Sequence, residues 1–357
     1  MITAGSQTVP STVVHHDGSE HRYHELGSLD FLGRMPIPLR RPFKAGLDRA
    51  VAAHRSATGI GLQCCFLGGG EWYQPFDGLT AARSSAELPD MLVSTLYHDI
   101  LNPALLAHYA PPDGYVTAVT AHPACVQGGL LDPLHIFHTF AVIPFVFLID
   151  RARLKGRPAP RVWSDLFDPV WADEIVFGGW RPHEQIAFQD YNSYLLFSLH
   201  QEYGLAGLEA FAANVHNLQH NIRTATQAGS NSRSVGTIAI LPWLQAELCP
   251  RRERTQVIWP EDGALAMPIG YLVKPDAHTR LAPLLHYLDG PELGQVLVRN
   301  CYPPTLAAVP DAFPSAARLK WAGWEHIRTH DMAVEERQAA QLFFSAWQRA
   351  QEERSCN

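Results

Sequence analysis

Residues 158–179 read PAPRVWSDLFDPVWADEIVFGG, which predicts a short helix, a strand and then a turn at two glycines. Ser164 stands where a serine hydroxyl caps a helix by accepting a hydrogen bond from its first amides. Residues 174–177 supply the strand, and residues 183–203 carry large apolar side chains at helical spacing. The stretch therefore predicts a strand that runs through glycines into a long helix.

Strands and helices also alternate upstream of this stretch. Apolar strands are predicted at residues 29–33, in the run that ends at Gly68, and over residues 88–96, with a helix over residues 43–54. This order predicts an α/β fold with a mainly parallel sheet and helices on its faces. In such sheets ligands bind beyond the carboxyl ends of the strands. Loops at these ends are therefore expected to converge on one cleft.

The candidate ligand-binding residues upstream follow the predicted strands. A triple glycine at a strand end permits backbone amides to approach a ligand closely. The candidates in this half of the chain are Arg34, Met35, Gly69, Gly70, Glu71, Trp72, Ser94 and Thr95.

The candidates downstream begin at the glycine turn, where the sequence GGWRPHEQ precedes the long helix. Free helical amides, the helix dipole and a guanidinium all favour an anion there, and Arg181 is the strongest single candidate. A polar loop before a later strand adds hydrogen-bonding side chains. The candidates in this half are Gly179, Trp180, Arg181, His183, Ser230, Asn231, Ser232 and Trp243.

The chemistry of the ligand stays open between three classes. Arg34, Arg181 and Arg233 favour an anion such as a carboxylate, a phosphate or another oxyanion. Trp72 and Trp243 suit an organic ring or a cation instead, because aromatic faces attract both. Iron held together with a small anion is the third class. The anionic interpretation is slightly favoured, and the sequence leaves any metal ligands unknown.

Composition excludes several classes of function. A chain of 357 residues exceeds the single-core limit of about 250–300 residues, so two lobes are expected. A net charge of −7 argues against a nucleic-acid partner. The six cysteines show no CxxC spacing, so neither a zinc site nor a disulfide framework is expected. Motifs of hydrolases, metalloproteases and nucleotide-binding enzymes are missing, so we expect no catalytic residues and no cofactor.

The N-terminal residues 1–27 are polar and are expected to form a flexible segment. It holds His15, His16, His21 and His24, which leave metal binding there open. No basic region followed by roughly 7–15 apolar residues opens the chain. A cytoplasmic, monomeric protein that does not insert into membranes is therefore expected, with a periplasmic location as the alternative if a signal was trimmed.

The stretch from Pro158 through Gly179 resembles the P-x-x-W-x-D-L-x-D-P-x-W signature of ABC-transporter solute-binding proteins. The resemblance is to the iron, thiamine and polyamine branch of the type 2 periplasmic binding fold. Further segments resemble this family in the same order along the chain. They are FLGGGEWYQPF with LPDMLVST, then DPLHIFHTFAVIPFVFLID, and then the stretch that begins WPEDGALAMPIGYLV.

The resemblance implies two α/β lobes with mixed sheets, helices on both sheet faces and a hinge between the lobes. Residues 28–145 and 262–357 would form lobe one, and residues 146–261 would form lobe two. The strands that join the lobes are expected near residues 143–150 and 259–267. A small molecule or ion would be captured in the cleft by hinge closure, and the closed protein would deliver it to an ABC permease.

One departure from the family bears on the ligand. Ferric-binding members carry neighbouring tyrosines after a strand of the second lobe, whereas residues 229–236 here read GSNSRSVG. Direct iron coordination by that motif is therefore not expected. A cytosolic ligand sensor or metal chaperone on the same fold is the alternative function.

Overall fold

The computed structural model describes residues 12–14, 20–22, 26–67, 79–94, 100–111, 120–178 and 190–356. The strands are β1 Thr12–Val14, β2 Glu20–Arg22, β3 Phe31–Arg34, β4 Cys64–Leu67, β5 Met91–Ser94, β6 Phe137–Asp150, β7 Ile175–Phe177, β8 Val215–Leu218, β9 Ile238–Pro242, β10 Thr255–Ile258, β11 Ala264–Val273 and β12 Leu319–Lys320. The helices are α1 Ile37–Thr58, α2 Pro103–His108, α3 Pro123–Gln127, α4 Asp190–Asn214, α5 Asn221–Gln227, α6 Trp243–Glu247, α7 Ala282–Leu288, α8 Pro291–Arg299, α9 Trp324–Thr329 and α10 Met332–Cys356.

The main sheet has the strand order β4-β3-β5-β11-β6-β9-β7-β8, with β10 paired to β6 and β12 paired to β11. β3, β4 and β5 run parallel in lobe one, and β7, β8 and β9 run parallel in lobe two. β6 and β11 run antiparallel to each other, β11 runs antiparallel to β5, and β6 runs antiparallel to β9, so the sheet is mixed. Helices cover both faces of the lobe-two strands: α4 packs on one side, and α5 and α6 pack on the other. The fold is therefore the two-lobed α/β architecture expected from the sequence.

β6 passes from one lobe to the other. Residues 137–144 pair with β11, whereas residues 145–149 pair with β9 of lobe two. All fourteen residues of β6 are buried, which explains its long apolar run. A second connection between the lobes runs from β10 to β11. These are the two joints about which the lobes can move.

The first aromatic residue of the 158–179 stretch, Trp163, anchors this crossing. Trp163 is fully buried and packs edge-on against Phe147 of β6, with ring centroids 4.9 Å apart. Its indole Nε1 donates to the carbonyl oxygen of Gly263 at 2.9 Å, immediately before β11. A single side chain thus holds both crossing segments together.

The helix cap predicted in this stretch is wrong. A 3₁₀ helix begins at Trp163, so Ser164 lies inside the helix and does not cap it. The carboxylate of Asp165 instead accepts hydrogen bonds from the amides of Arg161 and Val162. A carboxylate has more acceptor capacity than a hydroxyl, and it reaches back over the first turn.

The C-terminal helix differs from its expected assignment to lobe one. α10 packs against α4 of lobe two, where Phe343 contacts Phe211 with ring centroids 5.8 Å apart. The Trp347 indole donates to the carbonyl oxygen of Val215 at 3.0 Å. Periodicity predicts that this helix has an apolar face, but it does not predict which lobe covers that face.

The N-terminal segment that was expected to be flexible contains an antiparallel pair, β1 with β2. Its other residues up to 25 lie outside the described part of the chain. Among the described helices, none has both the length and the apolar character needed to cross a membrane.

Candidate functional site

The parallel strands of both lobes end at the same central part of the sheet. In lobe one, Ser94 at the end of β5 is paired with Gly270 of β11, which is paired with Thr139 of β6. In lobe two, Pro242 at the end of β9 is paired with Phe145. The part of β6 between Thr139 and Phe145 spans about 20 Å at a typical strand rise. The carboxyl ends of the two strand sets therefore flank one interlobe cleft.

The lobe-one wall carries a buried cation. Arg34 ends β3, its side chain is fully buried, and its Nε donates to the Ser94 hydroxyl oxygen at 3.0 Å. The two residues come together because β3 and β5 are parallel neighbours in register. A guanidinium with donors on several sides suits a carboxylate or a phosphate.

The lobe-two wall is built around Gly178, the residue that follows β7. A Cβ atom at this position would lie 2.6 Å from Asn192 Oδ1 and closer still to Asn221 Oδ1. Asn192 lies in the first turn of α4, and Asn221 begins α5. Only glycine lets both carboxamides lie against the backbone here. Gln219, which directly follows β8, joins them at the same edge of the sheet.

These amides have unmet hydrogen-bonding capacity. The side chains of Asn192 and Asn221 are 1% exposed, and that of Gln219 is 7% exposed. Asn192 Nδ2, Gln219 Nε2 and both polar side-chain atoms of Asn221 have no hydrogen-bond partner in the part of the chain that the structure describes. Each such buried group costs about 1–3 kcal/mol. A cluster of this kind at the carboxyl edge of a parallel sheet is a candidate binding wall.

The family model of the bacterial extracellular solute-binding proteins matches residues 86–330, which is most of the chain. The chain belongs to this family. The match includes the 158–179 stretch, β6 and β11, so it covers both crossing segments and the lobe-two wall. No curated protein matches the chain.

Solved structures share the fold of this solute-binding protein at low sequence identity. Pasteurella haemolytica apo ferric ion-binding protein A aligns with a TM-score of 0.58 and 14% identity, covering 88% of this chain and 98% of its own. Trichodesmium FutA, in complex with iron and citrate, aligns with a TM-score of 0.58 and 15% identity, covering 90% and 99%. AfuA from Actinobacillus pleuropneumoniae, with fructose-6-phosphate bound, aligns with a TM-score of 0.52 and 14% identity, covering 89% and 97%.

The candidate residues of this solute-binding protein separate into four groups, of which the polar loop is the last. Arg34 and Ser94 lie together at the lobe-one edge of the cleft. Met35 directly follows Arg34 in the chain, but its side chain is fully buried in the hydrophobic core. Trp243 follows β9 at the cleft edge, where its indole packs edge-on against Trp259 and donates to Glu247 at 3.1 Å. The third group lies outside the described residues: Gly69, Gly70, Glu71, Trp72, Thr95, Gly179, Trp180, Arg181 and His183.

The polar loop of Ser230, Asn231 and Ser232 is not brought to the cleft. It precedes β9, and the amino ends of parallel strands lie at the edge opposite to their carboxyl ends. Its contacts agree with this position, since Arg153 donates to the carbonyl oxygen of Ser232 at 3.1 Å and Arg254 donates to Asn231 Oδ1 at 3.4 Å. The placement of this loop in the site is corrected by the direction of the strand.

Asn192, Gln219 and Asn221 were missed by reasoning from the sequence. β8 is short and has two half-buried polar residues in its middle, so it lacks the apolar pattern from which the other strands were predicted. Had β8 been recognised, the carboxyl-end rule would have indicated Gln219 and Asn221 directly. Asn192 carries no local signal, because it lies within a helical apolar stretch.

A separate cavity of about 250 Å³ lies within lobe one, between the start of β6 and the junction of α7 and α8. Asp289, His138 and Thr139 are among the residues that line it. The Tyr271 hydroxyl donates to Asp289 Oδ2 at 2.7 Å, and the His138 ring stacks on the Tyr271 ring at 4.8 Å. Because lobe one supplies these walls, hinge closure would not enclose a ligand there.

Two titratable groups at this cavity are expected to act on stability in opposite directions. Burial raises the pKa of Asp289 from 3.8 to about 6, while the Tyr271 hydrogen bond opposes the rise. The folded state therefore binds more protons than the unfolded state between these values, and stability from this group is lost as the pH rises through about 6. Burial, aided by His278, lowers the pKa of His138 from 6.5 to about 4. Stability from His138 is present above pH 6.5 and is lost as the pH falls towards 4.

Single substitutions should separate the two effects. We expect Asp289→Asn to make the free energy of unfolding rise more steeply between pH 4 and 6, and His138→Gln to make it rise less or fall. Each change amounts to about 3 kcal/mol across the window, from shifts of about two pKa units. Urea unfolding at pH 4, 5 and 6 measures both slopes. Slopes equal to those of the unmodified protein in both variants would contradict the assignment.

Proposed function

We propose that this solute-binding protein captures a small anion, or a metal ion together with an anion, in the interlobe cleft and holds it by hinge closure. The observation that carries the proposal is the lobe-two wall, in which buried amides of Asn192, Gln219 and Asn221 have unmet hydrogen bonds among the described residues. Ligand contacts made on both walls favour the closed state, because the open state offers only one wall at a time. The role is binding and release, without a chemical step.

The anionic class is supported by the charge of the described site. Arg34 places a buried positive charge on one wall, and the opposite wall offers neutral amides that both donate and accept. A buried cation that meets an anionic ligand offsets the cost of burying either charge alone. Two of the structural relatives hold anion-bearing molecules, citrate in FutA and fructose-6-phosphate in AfuA.

Iron coordinated by tyrosine pairs is less well supported by the described tyrosines. The hydroxyls of five tyrosines donate to protein acceptors, and these are Tyr109, Tyr194, Tyr203, Tyr271 and Tyr287. Burial raises the pKa of Tyr194 and Tyr203, which disfavours the phenolate that ferric iron requires. An iron–anion complex held through the anion stays within the proposal.

We infer that the protein works outside the cytoplasm and delivers its ligand to an ABC permease. This follows the description of its family as extracellular solute-binding proteins. The sequence left a cytoplasmic and a periplasmic location open, and family membership favours the second. Fractionation of cells that express the full-length native gene tests this inference, and recovery in the cytoplasm would favour a sensor.

A thermal-shift panel tests the ligand class. It would contain citrate, ferric citrate, phosphate, hexose phosphates, ferric iron alone, thiamine phosphate and spermidine. A ligand at about 100 times its dissociation constant adds about 2.7 kcal/mol of stability. We expect a shift with an anion or an iron–anion complex.

The control for this panel is Ser230→Ala, because Ser230 lies at the opposite edge of the sheet and should leave the shift unchanged. A shift with spermidine alone, or none across the panel, would contradict the anionic proposal.

A further inference from the structure

Three possible metal ligands meet where α9 joins α10. His326 lies in α9, His330 caps its end, and Glu335 lies in the first turn of α10. One ligand atom from each lies within 4.8 Å of the other two. His326 Nε2 is 3.0 Å from Glu335 Oε2. We call these three residues the junction cluster.

The spacing of the junction cluster fits a metal ion with little rearrangement. Zinc binds imidazole nitrogen and carboxylate oxygen at about 2.0–2.2 Å, so tetrahedral ligand atoms lie about 3.3 Å apart. The His326–Glu335 distance is already close to that value. The longest separation would need to shorten by about 1.5 Å at most. His330 is exposed, so its ring can turn to supply this movement.

The hydrogen bonds around His330 leave the correct nitrogen for a metal. The Thr329 hydroxyl lies 2.8 Å from the Glu325 carbonyl oxygen, to which it donates. His330 Nδ1 lies 2.8 Å from Thr329 Oγ1 and 3.1 Å from the His326 carbonyl oxygen, so it is placed to donate to both. A proton on Nδ1 leaves the lone pair on Nε2, which is the usual arrangement of a ligating histidine.

We propose that the junction cluster binds a divalent transition-metal ion of the class that prefers imidazole, such as zinc. Two imidazoles and one carboxylate form a donor set typical of zinc, and the His326 and His330 rings lie side by side with their centroids 4.0 Å apart. The two helices attach to different parts of the molecule. Arg328 of α9 pairs with Asp132 of lobe one, whereas α10 packs on α4 of lobe two. A bound ion would therefore link a helix held by lobe one to a helix packed on lobe two.

Cobalt(II) titration of the full chain tests the proposal, because its visible absorption reports the coordination geometry. The histidines at positions 15, 16, 21 and 24 are first replaced by alanine, so that the N-terminal segment contributes no sites. We expect one equivalent of cobalt to bind with a tetrahedral spectrum, and zinc to displace it. His330→Ala and Glu335→Gln should each weaken binding at least tenfold.

His286→Ala is the matched control, since His286 is exposed and lies outside the cluster. It should bind cobalt like its parent. Unchanged cobalt affinity in His330→Ala would overturn the proposal, and so would the lack of any tetrahedral band at millimolar cobalt. Because His330 is exposed, the melting temperature of the metal-free variant should match that of its parent, which separates loss of metal from loss of fold.

Discussion

Replacing both Asn192 and Asn221 by leucine should abolish ligand capture and make the protein more stable. The four polar atoms of these two side chains include three without a hydrogen bond in the described part of the chain. Leucine has nearly the same shape as asparagine and removes these three unpaired atoms. Each removed group relieves about 1–3 kcal/mol, which corresponds to a rise of several degrees in melting temperature for the double variant. A stabilising change that removes function is the expected behaviour of a binding site.

The loss of affinity should exceed a hundredfold, or about 2.7 kcal/mol, because one wall of the cleft loses its hydrogen bonds to the ligand. Calorimetric titration with the anion that shifts melting in the panel measures this, and a melting scan without ligand measures stability. Asn231→Leu is the matched control, since Asn231 is exposed and lies in the loop before β9, at the edge of the sheet opposite the cleft. If the double variant were less stable than its parent and still bound the anion, the assignment of this wall would be wrong.

Asp132→Ala should lower the free energy of unfolding by about 3–5 kcal/mol. The Asp132 side chain is 1% exposed, and its carboxylate accepts hydrogen bonds from the amides of Leu134, Ile136 and Phe137 at 2.9–3.0 Å. It also pairs with Arg328 of α9. Removing it leaves three amides and one guanidinium without an acceptor at the start of β6. Since β6 crosses between the lobes, both lobes should lose stability together.

Urea unfolding of three further variants separates the contribution of the Asp132–Arg328 ion pair from that of the backbone hydrogen bonds to Asp132. Arg328→Met should cost less than Asp132→Ala, because the three backbone amides keep their acceptor. The double variant should cost less than the sum, since both changes remove the same ion pair. Asp48→Ala serves as the control, because its exposed pair with Lys44 should contribute under about 1 kcal/mol. A loss below 1 kcal/mol for Asp132→Ala would contradict its anchoring role.

Local sequence patterns determined much of the architecture. The ten consecutive apolar residues 140–149 predicted the long crossing strand, because a strand buried on both faces lacks alternation. The carboxyl-end rule placed Arg34 and Ser94 at one edge, and their hydrogen bond agrees with this. These features depend on a few neighbouring residues, so the chain alone determines them.

Only the tertiary structure decided which distant segments meet. The Ser230 loop and Asn221 are both polar and both adjoin lobe-two strands, but strand direction puts them at opposite edges. α10 has an apolar face that either lobe could have covered, and the side chains of α4 determined which one did. The Asn192 carboxamide lies against Gly178, a residue of another element, and its Nδ2 has no hydrogen-bond partner among the described residues. Pairing, packing and desolvation act between residues far apart in the chain, and no local pattern encodes them.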